Sequence, residues 1–331
     1  MTGKRSGGMA RLSLSAMAFS SMLAFTGLAA AQAYPAKAIN LIVPFAIGGP
    51  SDAHMRQFST ALGRYFQQPI VIENVPGGGG HIGPARVAKS NPDGYTILQH
   101  NLGIASAPAL YKNLGYNVLT DFDYIGTMVF DPSLLMARAD FPTNTFAEFL
   151  SYVKANQAKL SFGDGAGPSQ LSALLFMQHT GTKMTLIPYK GTGPAMNDLI
   201  GKTIDLLSNS ASIVGPQIRA GKVKAIGVTG KQRVSNLPDI PTLDEQGLTG
   251  FDMVVWTSLF APKNLPRPVL DRLVAGLQAT LNDPELKAHI ARTGGIPANR
   301  EQASPAGLQA LVKAEVEKWV PLLRNAGIQP E

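Results

Sequence analysis

The sequence of 331 residues contains no cysteine. That excludes a disulfide scaffold, thiol catalysis and any metal site built on cysteine. Charge is sparse, with Asp, Glu, Lys and Arg making up 15% of the chain. Residues 1–33 carry Lys4, Arg5 and Arg11 but no acid, so the formal net charge of +7 overstates the rest of the chain. Beyond them 26 basic residues face 22 acidic ones, with no dense block of either sign. Nothing there asks for a nucleic-acid partner. After residue 33 no stretch approaches the roughly 18 uninterrupted apolar residues of a membrane span. The five histidines, His54, His81, His100, His179 and His289, show no H-x-x-x-H or H-E-x-x-H spacing, and a zinc site is unsupported. A G-x-S-x-G nucleophile elbow is also missing. No catalytic residue, metal or cofactor is expected.

What is present begins with a leader. Basic residues come first, then an apolar run from about Leu12 to Leu28, then Ala31-Gln32-Ala33 before Tyr34. This is the order of a secretory signal peptide, with cleavage expected after Ala33 and a periplasmic mature protein. Ser13, Ser15, Ser20, Ser21 and Thr26 interrupt the run, which argues against an uncleaved anchor. An exported chain without disulfides depends on its core, and 45% hydrophobic residues supply enough for two domains.

The first ordered signal is Leu41-Ile42-Val43-Pro44-Phe45-Ala46-Ile47-Gly48-Gly49-Pro50-Ser51-Asp52. A β-branched run reads as a buried strand, the glycines as a turn, and Ser51 and Asp52 as N-caps of a helix from about Ala53 to Phe66. Such a turn aims backbone N–H groups and a positive dipole end at one point, where a small anion is stabilised. An ordinary strand–helix turn is the alternative. A second strand over Pro69–Val75 runs into Pro76-Gly77-Gly78-Gly79-Gly80-His81-Ile82-Gly83, and Tyr95–His100 is a third. The pattern βαβαβ argues for α/β architecture with a parallel sheet. The middle of the chain repeats the style. A strand at Leu160-Ser161-Phe162 enters the Gly163–Gln170 loop, with a helix from about Leu171, then strands at Met184–Pro188 and Ile204–Leu207. The end is helical, notably Pro268–Leu281 and Ala306–Leu323, whose apolar stripes are core.

Gly78-x-Gly80-x-x-Gly83 matches the dinucleotide fingerprint, but the next strand ends at His100-Asn101 without the acid that holds a ribose. A glycine loop baring N–H groups to a carboxylate fits better. Within these loops His81 and Phe45 are candidates for lining a site. Asp52 is either a cap or a ligand contact, and Arg86 either meets a second ligand carboxylate or lies on a solvated helix face. His289 reads as a surface residue.

At this point the chain resembles a known family, the extracytoplasmic solute receptors of tripartite tricarboxylate transporters, Bug or TctC-like. Pro44-Phe45-Ala46-x-Gly48-Gly49-x-x-Asp52 is similar to the family's opening, and Glu73-Asn74-x-Pro76-Gly77-x-Gly79-Gly80-x-Ile82-Gly83 to its second loop. Pro92-Asp93-Gly94-Tyr95-Thr96, Pro108-Ala109-Leu110-Tyr111 and Pro188-Tyr189-Lys190-Gly191-x-x-Pro194-Ala195 follow in order, then Leu237–Thr242 and Trp256 ahead of Leu259-Phe260-Ala261-Pro262. The resemblance spans about Tyr34 to Gln329.

It implies a periplasmic binding protein type II-like clamshell of two α/β domains with mainly parallel sheets. Domain 1 would comprise 34–136 and 258–331, and domain 2 would comprise 137–257. Hinges would lie near 130–140 and 250–260. A ligand carboxylate would sit between them. On one side are Phe45, Ala46, Gly48, Ser51, Asp52, Gly79, Gly80, His81, Arg86 and Asn101. On the other are Gly165, Ala166, Gly167, Ser169, Gln170, Tyr189, Lys190, Ser208 and Asn209. Arg86 or Lys190 would meet a second acidic group. The implied partners are a small carboxylate, with terephthalate as one candidate, and the membrane subunits of the transporter; the receptor would be a monomer. One departure stands out: the family's Ser-x-Gly-x-Gly-Ser-x-x-His loop keeps Gly165 and Gly167 here, but Gln170 takes the histidine position. Glutamine cannot become cationic. A secreted α/β enzyme with a carboxylate-binding cleft and a sensor protein are the competing readings.

Overall fold

The computed structural model describes residues 34–47, 50–165, 167–189 and 191–330. The chain divides into two compact units, Met1–Ala36 and Lys37–Glu331. Of the first, only 34–36 are described, and Tyr34–Pro35 is a cis peptide. The signal-peptide expectation falls on 1–33, and the candidates Gly48, Ala166 and Lys190 also lie outside the described residues.

The larger unit opens with β1 (Ile39–Val43), α1 (Pro50–Phe66), β2 (Ile70–Asn74), α2 (Ile82–Ala88), β3 (Thr96–Asn101) and α3 (Gly103–Leu110). β1 pairs in parallel with both β2 and β3, as the βαβαβ pattern requires. Helix α1 starts three residues before the expected Ala53, so Ser51 and Asp52 stand inside its first turn rather than at the cap. The long β4 (Phe122–Arg138) follows, then α4 (Phe146–Asn156), β5 (Ser161–Asp164), α5 (Pro168–Thr180), β6 (Thr185–Pro188), α6 (Thr192–Ile200), β7 (Leu206–Ser210), α7 (Ala211–Arg219) and β8 (Val223–Val228). The chain closes with β9 (Val254–Pro262), α8 (Arg267–Thr280), α9 (Pro284–Thr293), β10 (Ile296–Pro297) and α10 (Pro305–Asn325).

The strands form one mixed sheet in the order β2-β1-β3-β9-β4-β7-β5-β6, with β8 and β10 also on β4. Its flanks are parallel, and its centre is antiparallel because β9 runs against both β3 and β4. β4 serves two neighbourhoods. Phe122–Pro132 pairs β9, and Ser133–Ala137 pairs β7. Pro132 cannot donate to a ladder, and it stands where the strand leaves one partner for the other.

A continuous core ties the two flanks together. Ile42 and Leu98, Trp256 and Phe260, and Phe162 and Phe176 all belong to it, with Trp319 and Leu323 of α10 laid across. Helix α5 starts at Pro168, with Gly167 at its N-cap, so Ser169 and Gln170 occupy its first turn. Strand β7 runs to Ser210, which puts Ser208 and Asn209 in the ladder against Leu135 and Leu134. No helix among the described residues is long and apolar enough to cross a membrane.

Candidate functional site

In the first half of the sheet, β1, β2 and β3 release their loops at their carboxyl ends, the usual edge for ligands in α/β sheets. Asp52 braces this edge. It is 2% exposed, and its carboxylate accepts from Arg56 Nε at 2.9 Å, Arg56 Nη2 at 3.0 Å and Asn74 Nδ2 at 3.0 Å. Asn74 Nδ2 also donates to the Phe45 carbonyl at 3.0 Å, so the end of β2 staples the Phe45 loop to α1. The chemistry of Asp52 here is that of a strut. Ala46 is exposed and Ser51 is half-buried beside it.

The Gly77–Gly80 loop turns tightly, with Gly80 N–H donating to Gly77 O and His81 N–H to Gly78 O, both at 3.0 Å. Gly80 holds a φ of 95° and leaves only enough room for the Phe45 ring against it. Beneath the loop lies a cluster of rings. His81 stacks on His100 with centroids 5.6 Å apart and lies edge-on to Tyr111 at 4.7 Å, while Phe45 meets His100 edge-on at 5.6 Å. Asn101 N–H donates to His100 Nδ1 at 2.8 Å, which leaves the proton on Nε2 to donate to Gly80 O at 3.1 Å. His81 Nδ1 is hydrogen-bonded to the Tyr116 hydroxyl at 2.6 Å. Burial pushes His81 down to about 3, with His100 adding repulsion, and pushes His100 down to about 4. Both imidazoles are therefore neutral in the working range. Burial raises the Tyr116 hydroxyl, which likewise keeps that group neutral. The Asn101 side chain accepts from Gly103 N–H at 2.9 Å and shapes the entry to α3.

The second half brings β5, β6 and β7 out on their own carboxyl edge. Gln170 Nε2 donates to Asp164 Oδ2 at 2.7 Å, and Tyr189 N–H donates to the Asp164 carbonyl at 2.8 Å. The Tyr189 hydroxyl donates to Asp198 Oδ2 at 2.6 Å; burial first and Asp198 second raise it to about 12. Ser169 Oγ is turned inward to Gly163 O, and Gly165 is buried against Thr192. Ser208 Oγ and Asn209 Nδ2 are buried without a hydrogen-bond partner. Phe162 pairs with Leu206 in the parallel ladder, so Asp164 and Ser208, two residues on, share a sheet face.

A cavity of about 500 Å³ joins the two edges. Asp164, Gly167, Gln170 and Tyr189 wall it on one side and Leu110 and Tyr111 on the other. Tyr111 is thus the bridge: it lines the cavity and packs on His81 of the glycine loop. Neither Tyr111 nor Asp164 carries a local sequence signal of its own; each stands where an element ends, Tyr111 after α3 and Asp164 at the end of β5. Arg86 is placed elsewhere. It makes a bidentate ion pair with Glu73 on the exposed face of α2. His289 is half-buried rather than exposed, with Nε2 at 3.1 Å from His54 Nδ1.

The loop geometry yields a first expected outcome. Gly79 has a φ of 64°, and a Cβ there would overlap the Tyr111 hydroxyl. Gly79→Ala should displace the Tyr111 ring and destabilise the fold by about 1 kcal/mol through backbone strain. Near-UV circular dichroism and a thermal melt check this; a wild-type tyrosine signature would contradict it.

Comparison with known proteins places this geometry among relatives. A family model described as the tripartite tricarboxylate transporter family receptor matches residues 54–328. The solved periplasmic binding protein BugD is 42% identical, with a TM-score of 0.77 over 90% of this chain and 100% of that one. MatC from Rhodopseudomonas palustris, solved with bound malate, is 34% identical, with a TM-score of 0.76 over 88% of this chain and 100% of its own. A second R. palustris protein, solved with adipate, is 30% identical, with a TM-score of 0.79 over 90% of this chain and all of its own.

Proposed function

The chain belongs to the tripartite tricarboxylate transporter receptor family, and from that premise we propose that it captures a small organic dicarboxylate in the cavity between its two carboxyl edges and delivers it to the membrane subunits of such a transporter. One observation carries the reading: Asp164, Gly167, Gln170 and Tyr189 face Tyr111, which rests on the glycine loop, around a single cavity of about 500 Å³. That volume lies in the range of small-ligand sites. The relatives solved with malate and adipate support the same ligand class.

In this reading 34–136 with 258–331 forms one jaw and 137–257 the other. They hinge near 130–140 and 250–260, where β4 and β9 cross. The ligand selects the closed state through contacts that the open state lacks. Backbone N–H groups in the N-terminal turn of α5 hold one carboxylate, since those of Gly80 and His81 are closed on the Gly77 and Gly78 carbonyls. Of the two basic candidates for the second, the Arg86 guanidinium is already engaged by Glu73, which leaves Lys190 as the one to test. The protein acts as a periplasmic monomer after cleavage behind Ala33 and performs no chemistry on its ligand. The ring cluster of Phe45, His81 and Tyr111 favours a second reading of the ligand, an aromatic diacid such as terephthalate.

A thermal-shift panel of mono-, di- and aromatic carboxylates tests the function. A ligand at about 100 times its dissociation constant stabilises by about 2.7 kcal/mol. No shift across the panel would sink the receptor reading. Phe45→Ala should weaken binding about tenfold, the loss of a ring contact worth about 1.4 kcal/mol, and leave the fold intact. Unchanged affinity would remove Phe45 from the site.

A further inference from the structure

Helix α10 ends in a folded-back tail. Gly327, at φ 77°, donates its N–H to Arg324 O at 3.0 Å, and Ile328 N–H donates to Leu323 O at 3.1 Å. This left-handed glycine stop turns the chain back over the last helical turn. It carries Ile328 to an unusual position. The residue lines the 500 Å³ cavity beside Tyr111 and Tyr189 and also lines a second cavity of about 630 Å³. That second space is walled mainly by apolar side chains, Leu174, Met177, Met184, Leu186 and Leu322, with Gln178, Lys183 and Asn325 also on it. Ile328 is thus shared by the two cavities. Ile328 also packs against the common core, which holds it in place.

We propose that Ile328 is the end wall of the ligand chamber: it sets the longest ligand the cavity admits, and the apolar cavity behind it is a tail subsite opened when that wall is cut back. This rests on the carboxylate-receptor reading and adds to it the residue that fixes chain length. The N-terminal turn of α5, beside Gly167 and Gln170, holds one end of a ligand and leaves its far end to meet Ile328. With the wall removed, each methylene that enters the apolar space gains affinity through burial, about threefold to fourfold.

The test measures the affinity of linear dicarboxylates of increasing length, from succinate to sebacate, for the mature chain and for Ile328→Ala and Ile328→Trp. The wild type should bind up to a limiting length and then lose affinity sharply. Ile328→Ala should move that limit to longer acids while the short ones stay within about twofold. Ile328→Trp should move it to shorter acids. A limit that stays put in both variants, in a wild type that does bind the series, overturns the end-wall assignment alone. A wild type that binds none of the series overturns this assignment together with the receptor reading.

Discussion

Acidification from about pH 7 to about pH 4 is expected to remove about 3 kcal/mol of stability for each of His81 and His100. Burial holds these imidazoles at about 3 and about 4, below their ordinary 6.5. A base depressed in the fold contributes stability that is complete above its unfolded value. That stability is lost as pH falls through 6.5 toward the folded value. The two rings stack face to face, so charging one raises the penalty for the other. Among the described residues no carboxylate is hydrogen-bonded to either ring: His100 is bound to backbone and His81 to the Tyr116 hydroxyl. Urea titrations across this range should show the fall, and His100→Gln should make it shallower. A profile that is flat between about pH 6.5 and pH 4 would contradict the neutral, buried assignment. The consequence reaches function, because these rings support the glycine loop.

The second large effect has the opposite sign. Asp131 stands in β4 beside Pro132, where the strand changes partners. Burial alone raises its carboxyl to about 7 from an ordinary 3.8. Its Oδ1 lies close against Gly295. An acid raised in the fold stabilises most below its unfolded value, and that contribution is lost as pH rises through the folded value. Asp131→Asn should therefore stabilise the protein by up to about 4 kcal/mol above about pH 8, and by almost nothing near pH 4. Paired melts of wild type and variant at both ends check this. An equal shift at both pH values would mean that ionisation is not the cause. The variant also isolates the histidine effect, since Asp131 otherwise offsets part of the acid loss.

The sequence shows its loops better than its centre. Leu41–Val43, the helix after Asp52 and the glycine run at 77–80 are local signals: β-branched residues, glycines with positive φ, and helical spacing. They placed the first carboxyl edge correctly as strand, turn and helix. β9 carries a β-branched and aromatic run of its own, but β4 does not read as one strand. In β4 the run is broken by Gly126 and by Asp131-Pro132, which read as punctuation, yet the neighbouring strands hold the chain extended through them. Tyr111 and Ile328 were illegible for a different reason. Each reaches the cavity only because α3 and α10 pack together on the sheet, a long-range fact that no window of sequence contains. Asp52 shows the limit of local rules. Its position suggested a cap, but Arg56 and Asn74 claim its carboxylate instead.

The central claim is that the two carboxyl edges close on one small dicarboxylate. Isothermal titration calorimetry of the mature chain, unfolded and refolded to strip co-purified ligand, measures it most directly, using malate, adipate and terephthalate in turn. The account predicts saturable binding of about one equivalent of at least one of these acids, with a negative heat-capacity change from apolar burial, and weaker binding in Phe45→Ala. No heat and no saturation with any of the three, in a chain whose melt shows it folded, would contradict it.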